Sequence, residues 1–160
     1  QVLTGDFTVQ ASGTGAGVIL VEAYDTAGGT SARLVNLSAR NRVGTGDDIL
    51  IAGFPLVGAG SKQVLIRAVG PTLTIFGVSG ALADPTLRVI DAAGVTIASN
   101  DNWAATLAPT FAQIGAFPLT PASRDAALLV TLPAGSTYTI QVSGVSNTTG
   151  EALVEVYEVF

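Results

Sequence analysis

The chain has 160 residues, of which only 12% are charged, and it contains no cysteine, histidine or methionine. The lack of cysteine and histidine excludes a disulfide scaffold, thiolate chemistry and the usual zinc sites, and it leaves any serine nucleophile without a histidine base. A net charge of −5 with seven scattered Lys and Arg argues against a nucleic-acid surface. Mean hydropathy is high, at +0.53, but no apolar run reaches the roughly 20 residues of a membrane span, so we expect no membrane insertion.

Strand signals run along the whole chain as segments rich in Val, Ile, Leu and Thr, separated by Gly, Pro, Asn and Asp. In chain order, we predict strands at 6–12, 16–25, 32–40, 48–56, 62–69, 86–92, 95–99, 126–132, 137–144 and 151–159. Their short spacing predicts an all-β protein: a single, jelly-roll-like antiparallel β-sandwich domain over residues 1–160, with about ten strands. Two proline-containing stretches, 70–82 and 107–119, are predicted to be short helical turns or ordered loops that cap the sandwich ends.

Two segments, "ILIAGF" (49–54) and "VLIRAV" (64–69), are apolar on both faces, which predicts central strands covered on both sides. Arg67 lies inside the second segment, and a buried guanidinium must be paired. Glu22 and Glu155, at the centres of two nearly identical strands, are the candidate partners in a buried ion pair. The alternative is that Arg67 extends to a sheet edge.

The chain carries nearly the same pair of strands twice. "FTVQASG" (7–13) and "LVEAYD" (20–25) match "YTIQVSG" (138–144) and "LVEVYE" (153–158). We therefore predict an N-terminal hairpin over residues 5–25 that duplicates a C-terminal hairpin over 137–159.

A strand that is apolar on both sides is an aggregation hazard if it stays exposed. This favours a strand-exchange role, in which the N-terminal hairpin adds to the sheet of a neighbouring subunit. The alternative keeps the hairpin in its own subunit, paired with its C-terminal repeat. The predicted assembly interface consists of Val18, Ile19, Leu20, Val21 and Tyr24.

One stretch offers candidate metal ligands. In "SNDNW" (99–103), the side chains of Asn100, Asp101 and Asn102 provide oxygen atoms of the kind that bind calcium. The low number of acidic residues favours the other interpretation, an Asx turn at a strand end with Trp103 packed over the sandwich end. No pair of acids lies in a predicted cleft, so we expect no catalytic residue, no enzyme activity, no metal and no cofactor.

Three segments, "VLIRAVGP" (64–71), "GALADP" (80–85) and "ASNDNW" (98–103), resemble a module that is repeated in tandem in very large secreted and surface proteins of environmental bacteria. The second half, with "LPAGSTYTIQV" (132–142), is also similar to bacterial pre-peptidase C-terminal domains. These resemblances imply an extracellular, non-catalytic β-sandwich without a specific ligand.

The combined observations favour a structural subunit of an extracellular bacterial filament, fibre or surface layer, assembled through strand contacts between copies. The alternative is a carbohydrate- or protein-binding module of a secreted enzyme or adhesin. The expected partner is a second copy of the chain, with a glycan on the many Ser and Thr residues as a further option. Because the chain begins at Gln1 and not at methionine, we also expect a processed product.

Overall fold

A computed structural model describes residues 7–15, 17, 19–23 and 35–160. The chain divides into two units, residues 1–34 and 35–160. All strands found in the described residues belong to the second unit.

The second unit is built from eight strands in two antiparallel sheets. The strands are β1 (Asn36–Val43), β2 (Leu50–Leu56), β3 (Ser61–Val69), β4 (Pro85–Ile90), β5 (Thr96–Asn100), β6 (Ala126–Pro133), β7 (Ser136–Gly144) and β8 (Gly150–Val159). Sheet I has the strand order β1-β8-β3-β6, and sheet II has the order β2-β7-β4-β5. The prediction of an all-β antiparallel sandwich is therefore confirmed.

The number of strands is eight in the described residues, and the prediction of ten was wrong. The two strands predicted at 6–12 and 16–25 have no counterpart among residues 7–15, 17 and 19–23. A strand needs a neighbouring strand for its main-chain hydrogen bonds. The interior sheet positions that this sequence pattern can occupy are already taken by its second copy, β7 and β8. In the second unit, β7 lies between β2 and β4, and β8 lies between β1 and β3.

The main core lies between the two sheets. Strands β2, β4 and β7 alternate between buried and more exposed residues, as expected where one sheet face is packed and the other is open. Residues with no exposed area occupy the middle of this core, among them Ile66, Leu87, Val89, Ile140 and Val142. The open face of sheet II is largely polar, with Arg88 and Gln141 among its side chains, and also carries Ile51.

A second apolar cluster covers the outer face of sheet I. A 3-10 helix (Pro71–Phe76), a 3-10 turn (Ala105–Leu107) and helix α1 (Ala108–Gln113) form this cover. Their buried residues pack on Leu65 and Val69 of β3. The prediction that these stretches cap the sandwich ends was wrong, because a strand that is apolar on both faces needs a cover over its second face.

None of the helices in the described ranges is both long enough and apolar enough to cross a membrane.

Strand β2 is an edge strand, although the sequence predicted a central one. Its outward-facing residues include Ile51, which is 53% exposed. The same prediction holds for β3, whose last six residues are all buried. A run of apolar residues thus indicated burial on both sides correctly only where the second apolar cluster provides a cover.

The last two strands form a β-arch, so the prediction of a C-terminal hairpin was wrong. Strand β7 belongs to sheet II and β8 to sheet I, and the 3-10 turn Val145–Asn147 carries the chain from one sheet to the other. Ser146 and Asn147 adopt positive φ angles of 54° and 60°. The apolar residues of the two strands therefore face each other across the main core instead of lying side by side.

We predict that Gly144→Ala destabilises the protein by roughly 1–3 kcal/mol, because the new Cβ atom would overlap the carbonyl oxygen of Thr148 in the arch. The control is Gly53→Ala, whose Cβ atom would lie at an ordinary 3.8 Å from the carbonyl oxygen of Tyr138. Urea unfolding of both variants measures the difference. Equal stabilities would contradict the tight packing of the arch.

Candidate functional site

A buried ion pair joins the two central strands of sheet I. Arg67 of β3 and Glu155 of β8 are direct partners in the strand register. Arg67 has no exposed area, and Glu155 is 4% exposed. The Arg67 Nε atom donates to Glu155 Oε2 at 2.8 Å, and the Nη2 atom donates to the same oxygen. The remaining Nη1 atom donates to the carbonyl oxygen of Phe117 at 2.6 Å, so the charge is both paired and hydrogen-bonded.

Aromatic rings enclose the guanidinium group. Its central carbon lies 4.4 Å from the ring centre of Phe117, 4.9 Å from that of Phe111 and 5.8 Å from that of Tyr157. These distances are within the range of cation–π attraction, which is stronger where water is excluded. The second apolar cluster therefore contributes to holding the charge as well as to covering the sheet.

The hydroxyl group of Tyr157 completes the cluster by donating to Glu155 Oε1 at 2.7 Å. Burial, followed by this hydrogen bond, raises the pKa of Tyr157 above its ordinary value of 10.0. Both carboxylate oxygens of Glu155 thus accept hydrogen bonds from within the protein. The cluster is closed, since both charged side chains are buried and hydrogen-bonded within the protein.

The structure therefore brings Arg67 together with Glu155, and Arg67 does not extend to an edge. Glu22, the other predicted partner, is exposed in the first unit. By the sequence match, Glu22 stands in the N-terminal repeat at the position that Glu155 occupies in β8.

A second buried polar group, Asp125, was not identified from the sequence. Its Oδ1 atom accepts a hydrogen bond from Gly70 N at 2.7 Å, and both oxygens lie 3.3 Å from Thr72 N. Its Oδ2 atom also accepts from the hydroxyl groups of Thr72 and Ser123. The 3-10 helix that starts here has no capping side chain of its own, and that lack was the available signal, because its first N–H groups need an acceptor.

The calcium candidates instead form a turn. Asn100 Oδ1 accepts a hydrogen bond from Ala127 N at 3.0 Å, and Asn100 Nδ2 donates to the carbonyl oxygen of Asn102 at 2.9 Å. Asp101 is exposed. Across residues 7–15, 17, 19–23 and 35–160, no three acidic side chains are grouped to hold a metal ion. Trp103 follows the turn and packs in the second apolar cluster, where its ring centre is 5.6 Å from that of Phe111.

Two depressions of about 230 Å³ each open on the second unit. The first is polar, and its lining includes Arg88, Ser143 and Asn147. The second is apolar and lies beside Trp103 and Phe111. Neither lining, as far as the described residues define it, contains a carboxylate.

The described residues of the N-terminal repeat are all exposed. The exposed fraction is 57% for Ile19, 79% for Leu20 and 53% for Val21, and it is similarly high for Phe7 and Val9. Val18 and Tyr24, the other two predicted interface residues, lie outside the described residues. Five large apolar side chains thus face solvent within a stretch of 15 residues.

The sequence match indicates which of these side chains would face a core. The residues Ile19, Val21 and Ala23 correspond to Ala152, Val154 and Val156 of β8, which are buried in the main core. The alternate residues Leu20, Glu22 and Tyr24 correspond to Leu153, Glu155 and Tyr157 on the opposite face. The repeat therefore preserves the side-chain pattern of a central sandwich strand.

No family model and no curated protein matches the chain. Among solved structures, it is similar to the pre-peptidase C-terminal domain of a collagenase from Bacillus anthracis, with 13% identity and a TM-score of 0.46. The match covers 76% of this chain and 89% of that one. The tandem-repeat module has no counterpart among the family models.

We predict that Arg67→Met lowers the free energy of unfolding by roughly 3–5 kcal/mol, because it leaves the buried Glu155 carboxylate without its cation. The control is Lys62→Met. Lys62 pairs with Glu158 at 2.7 Å, but the two side chains are 21% and 17% exposed, so about 0–1 kcal/mol should be lost. Chemical denaturation measures both values, and similar losses would contradict the structural role of the buried pair.

The raised pKa of Tyr157 predicts a loss of stability at alkaline pH. Above about pH 10 the unfolded chain releases the Tyr157 proton while the folded chain keeps it, so the stabilisation is complete below that pH and declines as the pH rises further. Tyr157→Phe should therefore show a shallower decline in the free energy of unfolding above pH 10 than the parent protein. Parallel curves for the two proteins would contradict the pKa shift.

Proposed function

We propose that this chain is a non-catalytic structural subunit of an extracellular bacterial filament, fibre or surface layer, and that its copies assemble by strand addition through the N-terminal repeat. The observation that carries the proposal is that the sequence of the β7–β8 arch occurs twice, whereas each sheet of the sandwich already contains its arch strand, β7 or β8, at an interior position. The N-terminal copy therefore has the residues of interior strands without an equivalent interior position in the same sandwich. A second copy of the chain offers sheet edges to which it can add.

The exposed apolar side chains give the energetic reason for assembly. Burial of each large apolar side chain of the repeat contributes roughly 1.5–3 kcal/mol. Five of them are exposed among the described residues, so their sum can exceed the cost of association. Main-chain hydrogen bonds along an added strand would supply further affinity and fix the register.

The contact proposed here is heterologous, since one subunit donates the repeat and the next one accepts it. A contact of that kind continues from copy to copy and gives a filament unless the rotation between copies closes a ring. This property favours an extended assembly over a discrete dimer.

Several features support the non-catalytic part of the proposal. The two buried polar clusters, around Arg67 and Asp125, use their charged atoms within the protein. Arg88 is the charged side chain among the described residues that line the polar depression. Hydrolysis of glycosides or peptides requires paired acids, an activated nucleophile or a metal.

The second candidate function is a binding module of a secreted enzyme or adhesin. It is favoured by the open face of sheet II, where Arg88 donates to Gln141 Oε1 at 3.1 Å beside the polar depression. Guanidinium, amide and hydroxyl groups of this kind recognise polar ligands such as sugars. A monomeric protein that binds a polysaccharide, and loses binding on Arg88→Ala, would support this function and contradict assembly as the main role.

We predict that deletion of residues 1–34 leaves a folded protein that does not assemble, because the deletion removes none of the eight strands. Leu20→Asp in the full chain should have the same effect, since it places a charge among the exposed apolar side chains. The control is Val95→Asp, which alters a residue that is 55% exposed between β4 and β5 of the second unit and should leave assembly unchanged.

Sedimentation and negative-stain electron microscopy measure assembly, and circular dichroism monitors the fold. Normal assembly of the truncated chain, or failure of the parent protein to assemble, would contradict the proposal.

A further inference from the structure

We propose that the repeat adds to one particular place on the next copy, the lateral edge formed by β1 and β2, and this inference rests on the proposed function. Residues 7–13 would pair with β2 and extend sheet II, and residues 19–23 would pair with β1 and extend sheet I. The arch would thereby close one open side of the acceptor sandwich.

The strand order supports this placement. Strands β1 and β2 are edge strands that lie against each other at one side of the sandwich. Each pairs along its inner edge with a strand of the arch, β1 with β8 and β2 with β7. A second copy of the arch would meet the same two strands from their free edges, with the same antiparallel orientation and its apolar residues directed into the same core.

The acceptor edge is incompletely covered. On β1 only Val43 is fully buried, and Leu37, which faces the core side, is 36% exposed. On β2, Phe54 and Leu56 are each 8% exposed, whereas core residues of the inner strands such as Ile140 have no exposed area. Apolar side chains of an added arch would lie next to these residues.

Charge distinguishes this edge from the opposite one. Arg40 and Arg42 of β1 are exposed, and neither has an ion-pair partner within the described ranges. Both lie on the sheet face that carries Glu155 in β8. Strands β5 and β6, which form the opposite edge, contain no charged residue. Of the two edges, only the one at β1 and β2 therefore carries cations within its strands, on the face where Glu22 of an added arch would lie.

A specific register follows from the pairing of these charges. If Glu22 lies opposite Arg40 in an antiparallel ladder, Val21 lies opposite Asn41 and Ile19 lies opposite Val43. These residues of β1 face the core, since Asn41 pairs with Ala152 and Val43 with Gly150 of β8. This single register places Ile19 and Val21 on the core face and Glu22 on the outer face of the sheet.

On β2, Pro55 cannot donate a main-chain hydrogen bond, and proline within a sheet is confined to free edges. The ladder with residues 7–13 is therefore expected to run along Leu50–Phe54. Five residues are sufficient for a strand of ordinary length.

The test is a charge exchange between two chains. One variant carries Glu22→Arg, and the other carries Arg40→Glu. Each variant alone places like charges opposite each other, so its assembly should fall at least about tenfold. An equimolar mixture should recover assembly, because every repeat then meets an acceptor of opposite charge. Arg88→Glu, which alters an exposed arginine outside the proposed edge, is the control and should assemble normally.

Three results would overturn the placement. If single variants assemble like the parent protein, Arg40 only protects an edge, and the proposed function remains while the acceptor assignment fails. If the mixture does not recover but a chain with both changes does, the repeat pairs with β1 of its own subunit. If the parent protein itself does not assemble, the proposed function fails first.

A cross-link gives an independent readout. The chain has no cysteine, so Val21→Cys in one chain and Asn41→Cys in another should form a disulfide between copies when the two are mixed and oxidised. Val130→Cys, which lies on the opposite edge strand β6 and also faces the main core, should not cross-link to Val21→Cys. A cross-link to Val130→Cys would assign the other edge.

Discussion

An arginine side chain without access to water lies at the centre of sheet I, and the cost of burying its charge determines what must surround it. The carboxylate comes from the neighbouring strand β8, the carbonyl oxygen from Phe117, and the ring faces from the segment that covers the sheet. Sheet pairing, the second apolar cluster and the helical cover therefore depend on the same group. Removal of the carboxylate, the carbonyl oxygen or the aromatic rings would expose the guanidinium to water or leave it buried without a partner.

The duplicated segment keeps the glutamate and the alternating apolar residues of β8. By the sequence match, Glu22 corresponds to Glu155, and Ile19 and Val21 correspond to Ala152 and Val154. In the second unit, this sequence pattern forms interior strands of two sheets, and the proposed assembly would use the same pattern a second time, between copies of the chain.

The sequence predicted eight strands close to their observed positions because glycine, proline and asparagine mark where they end. It also indicated a partner for Arg67, since a buried guanidinium must be paired. It could not distinguish a β-arch from a hairpin, because the residues of the turn Val145–Asn147 are compatible with both. Which of the two forms depends on the strands that β7 and β8 pair with, and these are distant in the sequence. The uncapped start of the 3-10 helix indicated that an acceptor was needed there. It did not indicate which one, because Asp125 is more than 50 residues away in the sequence.

The position of β7 and β8 in the chain has a consequence for folding. Each lies at the interior of a sheet, yet both follow β1, β2, β3 and β4, the strands that they join. Neither sheet can therefore be completed before β7 and β8 have formed, and the native contacts span a large separation along the sequence. A chain of this topology must bring its last two strands between strands that come much earlier in the sequence, so we expect both sheets to form late and together in folding.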